Sequence, residues 1–116
     1  MVNWVPQLRK GLVDFCVLLA VAREETYGYA LVERLRGVPY LNFTESTVYP
    51  SLARLIEEGL IRTTERPSPM GPARRYLCVT ADGKRRLAEM KKHWEGVCGS
   101  VETLIQALER GGSDDK

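Results

Sequence analysis

The sequence predicts a mainly α-helical fold with a small β-hairpin, arranged as a winged helix-turn-helix followed by a long C-terminal dimerisation helix. Apolar residues recur at helical spacing in three segments before Gly59. A Pro- and Gly-rich stretch then separates two strand-like segments, and a heptad pattern fills the end of the chain. The order helix, helix, helix, strand, strand, long helix is that of a winged helix-turn-helix.

Length and composition fit one ordinary globular domain. The chain has 116 residues, 44% of them hydrophobic and 28% charged, which argues against a disordered or fibrous protein. The formal net charge of +2 does not by itself indicate nucleic acid, so only local clusters of basic residues can do so. The chain has an odd number of cysteines, and none of them has C-x-x-C spacing: Cys16, Cys78 and Cys98. This pattern disfavours disulfide bonds and a zinc site, so we expect a protein of the reducing cytoplasm. We expect no metal, no cofactor and no enzymatic site.

The first helix is predicted over residues 8–23. Its apolar residues cover nearly every side, so it needs more cover than one small core provides, and a partner subunit could supply it. The run from Phe15 to Ala22 is too short to span a membrane. It superficially resembles a secretory signal, but Asp14 interrupts the apolar segment just before Phe15 and the basic residues lie well inside the chain, so we expect a buried helix.

Two further helices follow. The second is predicted over residues 29–36, ended by Gly37 and Pro39. The third begins near Thr44, a suitable N-cap, and stops at Gly59. Pro50 lies inside this helix, where it removes one backbone hydrogen bond and normally costs about 3 kcal/mol. A local rule broken inside an element often serves function.

A hairpin and a long helix complete the chain. Strands are predicted over residues 60–66 and 75–79, and residues 67–72 are expected to form a six-residue loop. Thr80 is expected to cap a helix over residues 81–108. Its apolar residues alternate in gaps of three and four, the repeat of a helix–helix seam: Leu87, Met90, Trp94, Val97, Val101, Leu104 and Leu108.

These elements divide the chain into three parts. Residues 1–80 are expected to form the winged helix-turn-helix DNA-binding domain. Residues 81–110 are expected to form the C-terminal dimerisation helix, and residues 111–116 a flexible tail.

The third helix and the hairpin carry the candidate DNA-binding residues. In a winged helix-turn-helix the third helix enters the major groove, and the wing contacts the flanking backbone. Hydroxyls and arginine can bond to phosphates or base edges, although an ordinary solvated helix face has the same residue types. A basic surface turn is likewise the alternative to a phosphate clamp at the hairpin. The candidates are Ser46, Thr47, Tyr49, Ser51, Arg54, Arg74 and Arg75.

Trp94 lies in the middle of the predicted seam, beside Met90 and Cys98. Dimer core is the favoured interpretation, and a flat apolar ligand stacked on paired tryptophans at the dimer axis is the alternative. Thiol sensing by Cys16 or Cys98 near this interface is a further alternative. The predicted dimer interface or effector pocket comprises Phe15, Leu19, Met90, Trp94, Val97, Cys98 and Val101.

An ordered set of motifs spans residues 8–108. It comprises Tyr27-Gly28-Tyr29, Thr47-Val48-Tyr49-Pro50 with Leu52, Arg54 and Leu55, Glu58-Gly59-Leu60-Ile61, Gly71-Pro72 with Arg74-Arg75-Tyr76, Thr80 with Gly83, and Trp94. Each motif is weak alone, but together, with the internal proline, they resemble the short, single-domain branch of the PadR family of bacterial transcriptional regulators. Ser46 and Ser51 occupy positions where the family varies, so the resemblance predicts no operator sequence.

The resemblance implies a homodimer, joined by the first and last helices, that binds a two-fold symmetric DNA operator, usually as a repressor. It implies that Tyr29, Thr47, Tyr49, Pro50 and Arg54 face DNA and that residues 71–75 form the wing. It also implies a planar aromatic effector held between paired tryptophans, an expectation that depends on Trp94 alone because the wing tip has no tryptophan. The sequence thus predicts a cytoplasmic DNA-binding repressor released by a small molecule. The alternative is a winged-helix protein-interaction module without DNA binding.

Overall fold

A computed structural model describes residues 11–111, which form four helices and a three-stranded antiparallel sheet. In chain order these are α1 (Val13–Arg23), β1 (Thr26–Tyr27), α2 (Gly28–Arg36), α3 (Glu45–Glu57), β2 (Ile61–Ser68), β3 (Gly71–Val79) and α4 (Ala81–Gly111). The predicted winged fold with a long C-terminal helix is confirmed. Two predicted boundaries are wrong: residues 11–12 form a turn, so the first helix begins at Val13, and Gly111, predicted to lie in the tail, is the last residue of α4. Residues 8–10 of the predicted first helix and 112–116 of the predicted tail lie outside the described residues.

The core is built around α1. Six of its 11 residues are buried, because α2, α3 and the base of the sheet surround it. The chain itself therefore supplies much of the cover that the sequence assigned to a partner subunit, although Leu19 stays 42% exposed. The other elements contribute further buried residues to the same core, including Leu31, Val32, Leu35, Val48, Leu52, Leu55, Ile61 and Leu77.

The sheet contains one strand that the sequence did not predict. Its order is β1-β3-β2, and the two-residue strand β1 pairs Thr26 with Leu77 and Tyr27 with Tyr76. A strand of two residues is too short to show the alternating pattern from which strands are predicted. It fixes the beginning of α2 to the base of the hairpin.

The predicted six-residue loop over residues 67–72 is wrong. Strand β2 continues to Ser68 and β3 begins at Gly71, which leaves Pro69 and Met70 as the turn. Pro67 fits within β2 because this is an edge strand and the register shifts between Arg66 and Ser68. The strands of the hairpin are therefore longer than its proline content indicates.

Two glycines shape the junction between α3, the hairpin and α4. Gly59 adopts φ +79°, a left-handed conformation that favours glycine, just after the end of α3. The predicted cap of α4 is confirmed, since the Gly83 N–H donates to Thr80 Oγ1 at 3.0 Å. Gly83 is buried, and a Cβ there would collide with the carbonyl oxygen of Leu60 and lie 2.7 Å from Val79 Cγ2. The α4 backbone thus starts in direct contact with the winged domain.

Candidate nucleic-acid interface

Helix α3 buries an apolar stripe and leaves a polar face exposed. Val48, Leu52 and Leu55 point into the core, whereas Ser46, Thr47 and Pro50 are exposed and Tyr49 is 42% exposed. Thr44 occupies the N-cap position as predicted, but its hydroxyl shares a 3.0 Å hydrogen bond with the Ser46 hydroxyl and makes no side-chain cap bond. The exposed face is therefore rich in hydroxyls at the positive end of the helix dipole.

The segment that opens α2 packs against α3 through glycine. A Cβ at Gly28 would lie 3.2 Å from Tyr49 Cε1 and 3.5 Å from Tyr49 Oη, so a larger residue would press on this ring. Tyr27 packs edge-on against Tyr76, with the ring centroids 5.6 Å apart, whereas Tyr29 is 68% exposed. The two tyrosines that flank Gly28 thus differ: the first packs and the second is available to a ligand.

The structure corrects the prediction that Ser51 faces DNA. Ser51 has no exposed surface, and its hydroxyl donates to Asp14 Oδ1 at 2.5 Å. Arg54 Nη2 donates to the same oxygen at 2.8 Å, while about half of the Arg54 side chain (52%) stays exposed. Ser51 therefore connects α3 to α1 by a hydrogen bond. Arg54 makes a second such connection and is still accessible to solvent.

The basic residues of the hairpin divide between its two faces. Cross-strand register pairs Arg66 with Arg74, and Arg62 with Cys78, on one face. Arg75 pairs with Glu65 on the other face. Arg74 and Arg75 are both exposed but point in opposite directions, so a single phosphate group cannot bind both of them.

Aromatic rings hold two of the wing arginines. Arg66 Cζ lies 4.8 Å from the centroid of Tyr76, and Arg74 Cζ lies 4.5 Å from the centroid of Tyr27. Guanidinium groups over aromatic faces are attracted by the ring quadrupole. Because Arg66 and Arg74 are direct cross-strand neighbours of like charge, the rings help to hold two cations that would otherwise repel each other.

Glu25 completes this basic face. Arg66 Nη2 donates to Glu25 Oε2 at 2.6 Å, and the Cys78 thiol donates to the same oxygen at 2.7 Å. The thiol hydrogen bond, followed by that from Arg66, lowers the pKa of Glu25, and the carboxylate in turn raises the pKa of Cys78. Burial raises the pKa of Cys16. Both thiols are therefore held in the less reactive protonated form at neutral pH.

A groove runs between α1 and α4. Its volume is about 1030 Å³, and the rings of Phe15 and Trp94 meet in it at a centroid distance of 6.3 Å and an angle of 55°. Six of the seven residues predicted for the dimer interface or effector pocket line this groove, and Leu19 is the exception: Phe15, Met90, Trp94, Val97, Cys98 and Val101. Arg86, Glu89, His93 and Glu102 add polar groups to its lining.

The described residues, 11–111, limit other kinds of site. They include no helix long and apolar enough to cross a membrane. Over the same range, no three or more His, Cys, Asp or Glu residues lie close enough together to hold a metal ion.

A family model described as the transcriptional regulator PadR-like family matches residues 17–89. The chain belongs to the PadR-like family. Solved PadR-like proteins share its fold. A PadR-like regulator from Bacillus cereus gives a TM-score of 0.78 at 36% identity and covers 86% of this chain and 97% of its own. A Streptococcus transcriptional regulator gives 0.76 at 35% identity, with 85% and 97% covered. An uncharacterised protein of Lysinibacillus sphaericus is 26% identical over 102 residues, which are 86% of this chain and 94% of that protein.

The PadR-like match covers the candidate DNA interface but not the whole groove. It includes α2, α3 and the hairpin, and it ends at residue 89, before Trp94. The exposed candidates on α2, α3 and the wing lie in the matched part, and their contacts with DNA stay predictions: Tyr29, Ser46, Thr47, Tyr49, Pro50, Arg54, Arg74 and Arg75.

Two acidic residues of this PadR-like chain were missed as contributors to the site. In the sequence Asp14 stands out only as an interruption of an apolar run, yet it is the acceptor for Ser51 and Arg54. An acidic residue inside an apolar helix needs a polar partner, and that signal could have found it. Glu25 follows Glu24 in the short segment between α1 and α2, where acidic residues are common. Its partner Cys78 is 53 residues away, so nothing in the sequence around Glu25 indicates the contact.

Proposed function

We propose that this PadR-like protein is a cytoplasmic, homodimeric, sequence-specific DNA-binding regulator that acts as a repressor. The supporting observation is the exposed hydroxyl and arginine face of α3 beside a wing that carries arginines on both faces. In this proposal α3 enters the major groove, where hydroxyls and Arg54 reach base edges or phosphates. The wing arginines contact the flanking backbone. The part up to Thr80 binds DNA, and α4 joins two copies.

The wing is suited to phosphate for a physical reason. Arg66 and Arg74 are already ordered by rings and by Glu25, so little side-chain freedom remains to be lost when a phosphate arrives. A phosphate near Arg74 would also relieve the repulsion between these two neighbouring cations. Binding by such contacts weakens steeply as salt rises, because it releases counterions from DNA.

A binding experiment tests the DNA proposal. Duplexes are selected from a randomised pool on the full-length protein, and fluorescence anisotropy gives their Kd over a series of salt concentrations. Arg74→Ala and Arg75→Ala should each weaken binding by about tenfold and reduce the salt slope by about 1. Lys91→Ala, which also removes one exposed positive charge but on α4, should change Kd less than twofold. Lack of binding to any duplex at low salt would sink the DNA proposal and favour the protein-interaction module.

The groove supports a second part of the proposal, release of the repressor by a planar aromatic compound. A flat ligand stacked near Trp94 and Phe15 would separate α4 from α1, because these rings meet across the groove. Such a shift would change the spacing of the two recognition helices, which must sit about 34 Å apart, one DNA turn. The ligand acts only through unequal affinity for the two arrangements.

Tryptophan fluorescence tests the effector proposal. The chain has two tryptophans, so the Trp4→Phe variant leaves Trp94 as the only indole. Planar aromatic compounds of two to four fused rings should include at least one that quenches this emission saturably and weakens duplex binding. In a Trp94→Ala variant, the same compound should lose its effect on duplex binding. Unchanged release from that variant would place the effector site elsewhere.

A further inference from the structure

Asp14 is a charged residue in the most buried helix of the fold, and the DNA interface proposed above does not use it. Its Oδ1 atom accepts from Ser51 Oγ at 2.5 Å and from Arg54 Nη2 at 2.8 Å. The donors are three residues apart on α3, so both face α1 from consecutive turns. One carboxylate oxygen, on a side chain that is 33% exposed, therefore joins α1 to the helix proposed to read DNA.

The Ser51 contact fixes where this helix lies. Ser51 has no exposed surface, so its hydroxyl cannot turn to water and needs an acceptor inside the protein. Asp14 supplies a charged acceptor, and hydrogen bonds to ionised groups are the shorter and stronger ones. The bond restrains α3 against rotation about its axis and sliding along α1.

The Arg54 contact fixes the direction of the guanidinium. This group carries five N–H donors in a rigid plane, and the hydrogen bond to Asp14 uses Nη2. The side chain is 52% exposed, so the remaining edge of the fork is accessible from outside. A free arginine side chain samples many rotamers, and a partner that restricts it beforehand reduces the entropy lost on binding.

We propose that Asp14 is a positioning residue for sequence reading, which acts on DNA through Arg54 and the register of α3. This inference rests on the proposed DNA-binding function. The negative charge of Asp14 repels phosphate, so it opposes binding to any duplex, whereas the geometry it imposes favours only a matching sequence. Asp14 therefore contributes to the ratio of specific to non-specific affinity and not to affinity in general.

The Asp14→Asn variant tests this role because it keeps the shape and an acceptor oxygen but removes the charge. Kd is measured by anisotropy, at one salt concentration, for a duplex selected on the wild-type protein and for its scrambled counterpart. The affinity ratio should fall about tenfold, as expected for loss of a charge-assisted hydrogen bond. Affinity for the scrambled duplex should stay equal or rise. Asp82→Asn is the matched control, since it removes the same charge from an exposed Asp–Arg pair within α4, and its ratio should change less than twofold.

A double variant shows whether Asp14 acts through Arg54. In an Arg54→Ala background, Asp14→Asn should change the logarithm of the affinity ratio by less than half as much as it does in the wild-type protein. Should Asp14→Asn fail to fold by circular dichroism, Asp14→Glu replaces it: this variant keeps the charge but moves the carboxylate away from its present contacts with Ser51 and Arg54, and its ratio should fall likewise.

Two results would overturn the inference. One is an unchanged affinity ratio in the folded variant, including equal weakening on both duplexes, which marks a purely structural role. The other is a fully additive double variant. Each of them leaves the proposed function intact when the wild-type protein still prefers its selected duplex. If the wild-type protein binds neither duplex, the proposed function fails first and this inference fails with it.

Discussion

At the start of α4 the fold has no space for even one additional side-chain atom. Gly83 is the one buried residue of that helix, and its backbone lies against the carbonyl of Leu60, which leaves no room for a methyl group. From the sequence, Gly83 was notable only as part of a family motif. A glycine required by close approach of another segment cannot be distinguished from a flexible one until that segment is placed.

Gly83→Ala should lower the free energy of unfolding by about 2 kcal/mol, because overpacking against backbone outweighs the gain in helix propensity. Urea denaturation followed by circular dichroism measures it. Gly99→Ala is the matched control on the same helix, where a new Cβ meets nothing within 4 Å, and it should stabilise the protein slightly. Equal stability of the two variants would contradict the close contact.

The thiol of Cys78 gives a second prediction at the scale of residues. Its pKa is raised chiefly by the hydrogen bond to Glu25, so the thiol stays protonated to higher pH than a free cysteine. Glu25→Gln should therefore lower the pKa of Cys78, since Arg62 and Arg66 then act on the thiolate without the opposing carboxylate. In a Cys16→Ala, Cys98→Ala background, alkylation by iodoacetamide at pH 8 should become faster. A rate unchanged by the Gln substitution would show that Glu25 does not control this thiol.

The same pair links stability to pH in two directions. The lowered pKa of Glu25 means that its stabilising contribution is present above the unfolded pKa and is lost as pH falls through the folded value. The raised pKa of Cys78 means that its contribution is present below the unfolded thiol pKa and is lost as pH rises through the folded value. The thiol–carboxylate contact is therefore most stabilising between these limits.

At the scale of elements, periodic segments were predictable and unpatterned ones were not. Helices α2, α3 and α4 follow from regular apolar spacing, caps and glycine stops, all of which are local. Strand β1 and the full length of the hairpin depend on pairing with distant residues, which composition does not encode. Ser51 shows the same limit within the site, because its type matches a DNA-facing hydroxyl while its partner lies 37 residues away on α1.

Pro50 is the element-scale irregularity with a measurable cost. It lies within α3, is exposed, and cannot donate the backbone hydrogen bond of its turn. Pro50→Ala should raise the free energy of unfolding by about 1–3 kcal/mol and weaken binding to the selected duplex, because the altered first turns of α3 would no longer fit it. Denaturation and anisotropy on one sample measure both. A variant that is more stable and binds equally well would remove any role of the proline in DNA binding.

At the scale of the whole molecule, α4 extends away from a small core. The described residues span 67 × 34 × 21 Å, and α4, with 31 residues, is about 46 Å long. Beyond Met90 its seam residues are 41–72% exposed: Trp94, Val97, Val101, Leu104 and Leu108. An apolar stripe of this length with heptad spacing favours cover by another helix, and the proposed homodimer supplies one.

Leu104→Arg should convert the proposed dimer into a monomer without unfolding the chain. Leu104 is 69% exposed in the single chain, so arginine costs little within it, whereas at a helix–helix seam the charge would lose its water. Gln106→Arg adds the same charge two residues further on, where the heptad pattern places it opposite the seam. Sedimentation velocity should show a monomer for the first variant and a dimer for the second. Because a monomer holds only one recognition helix, Leu104→Arg should also lose most of its affinity for a two-fold symmetric duplex but keep its affinity for a single half-site. A dimeric Leu104→Arg protein would place the interface on another surface.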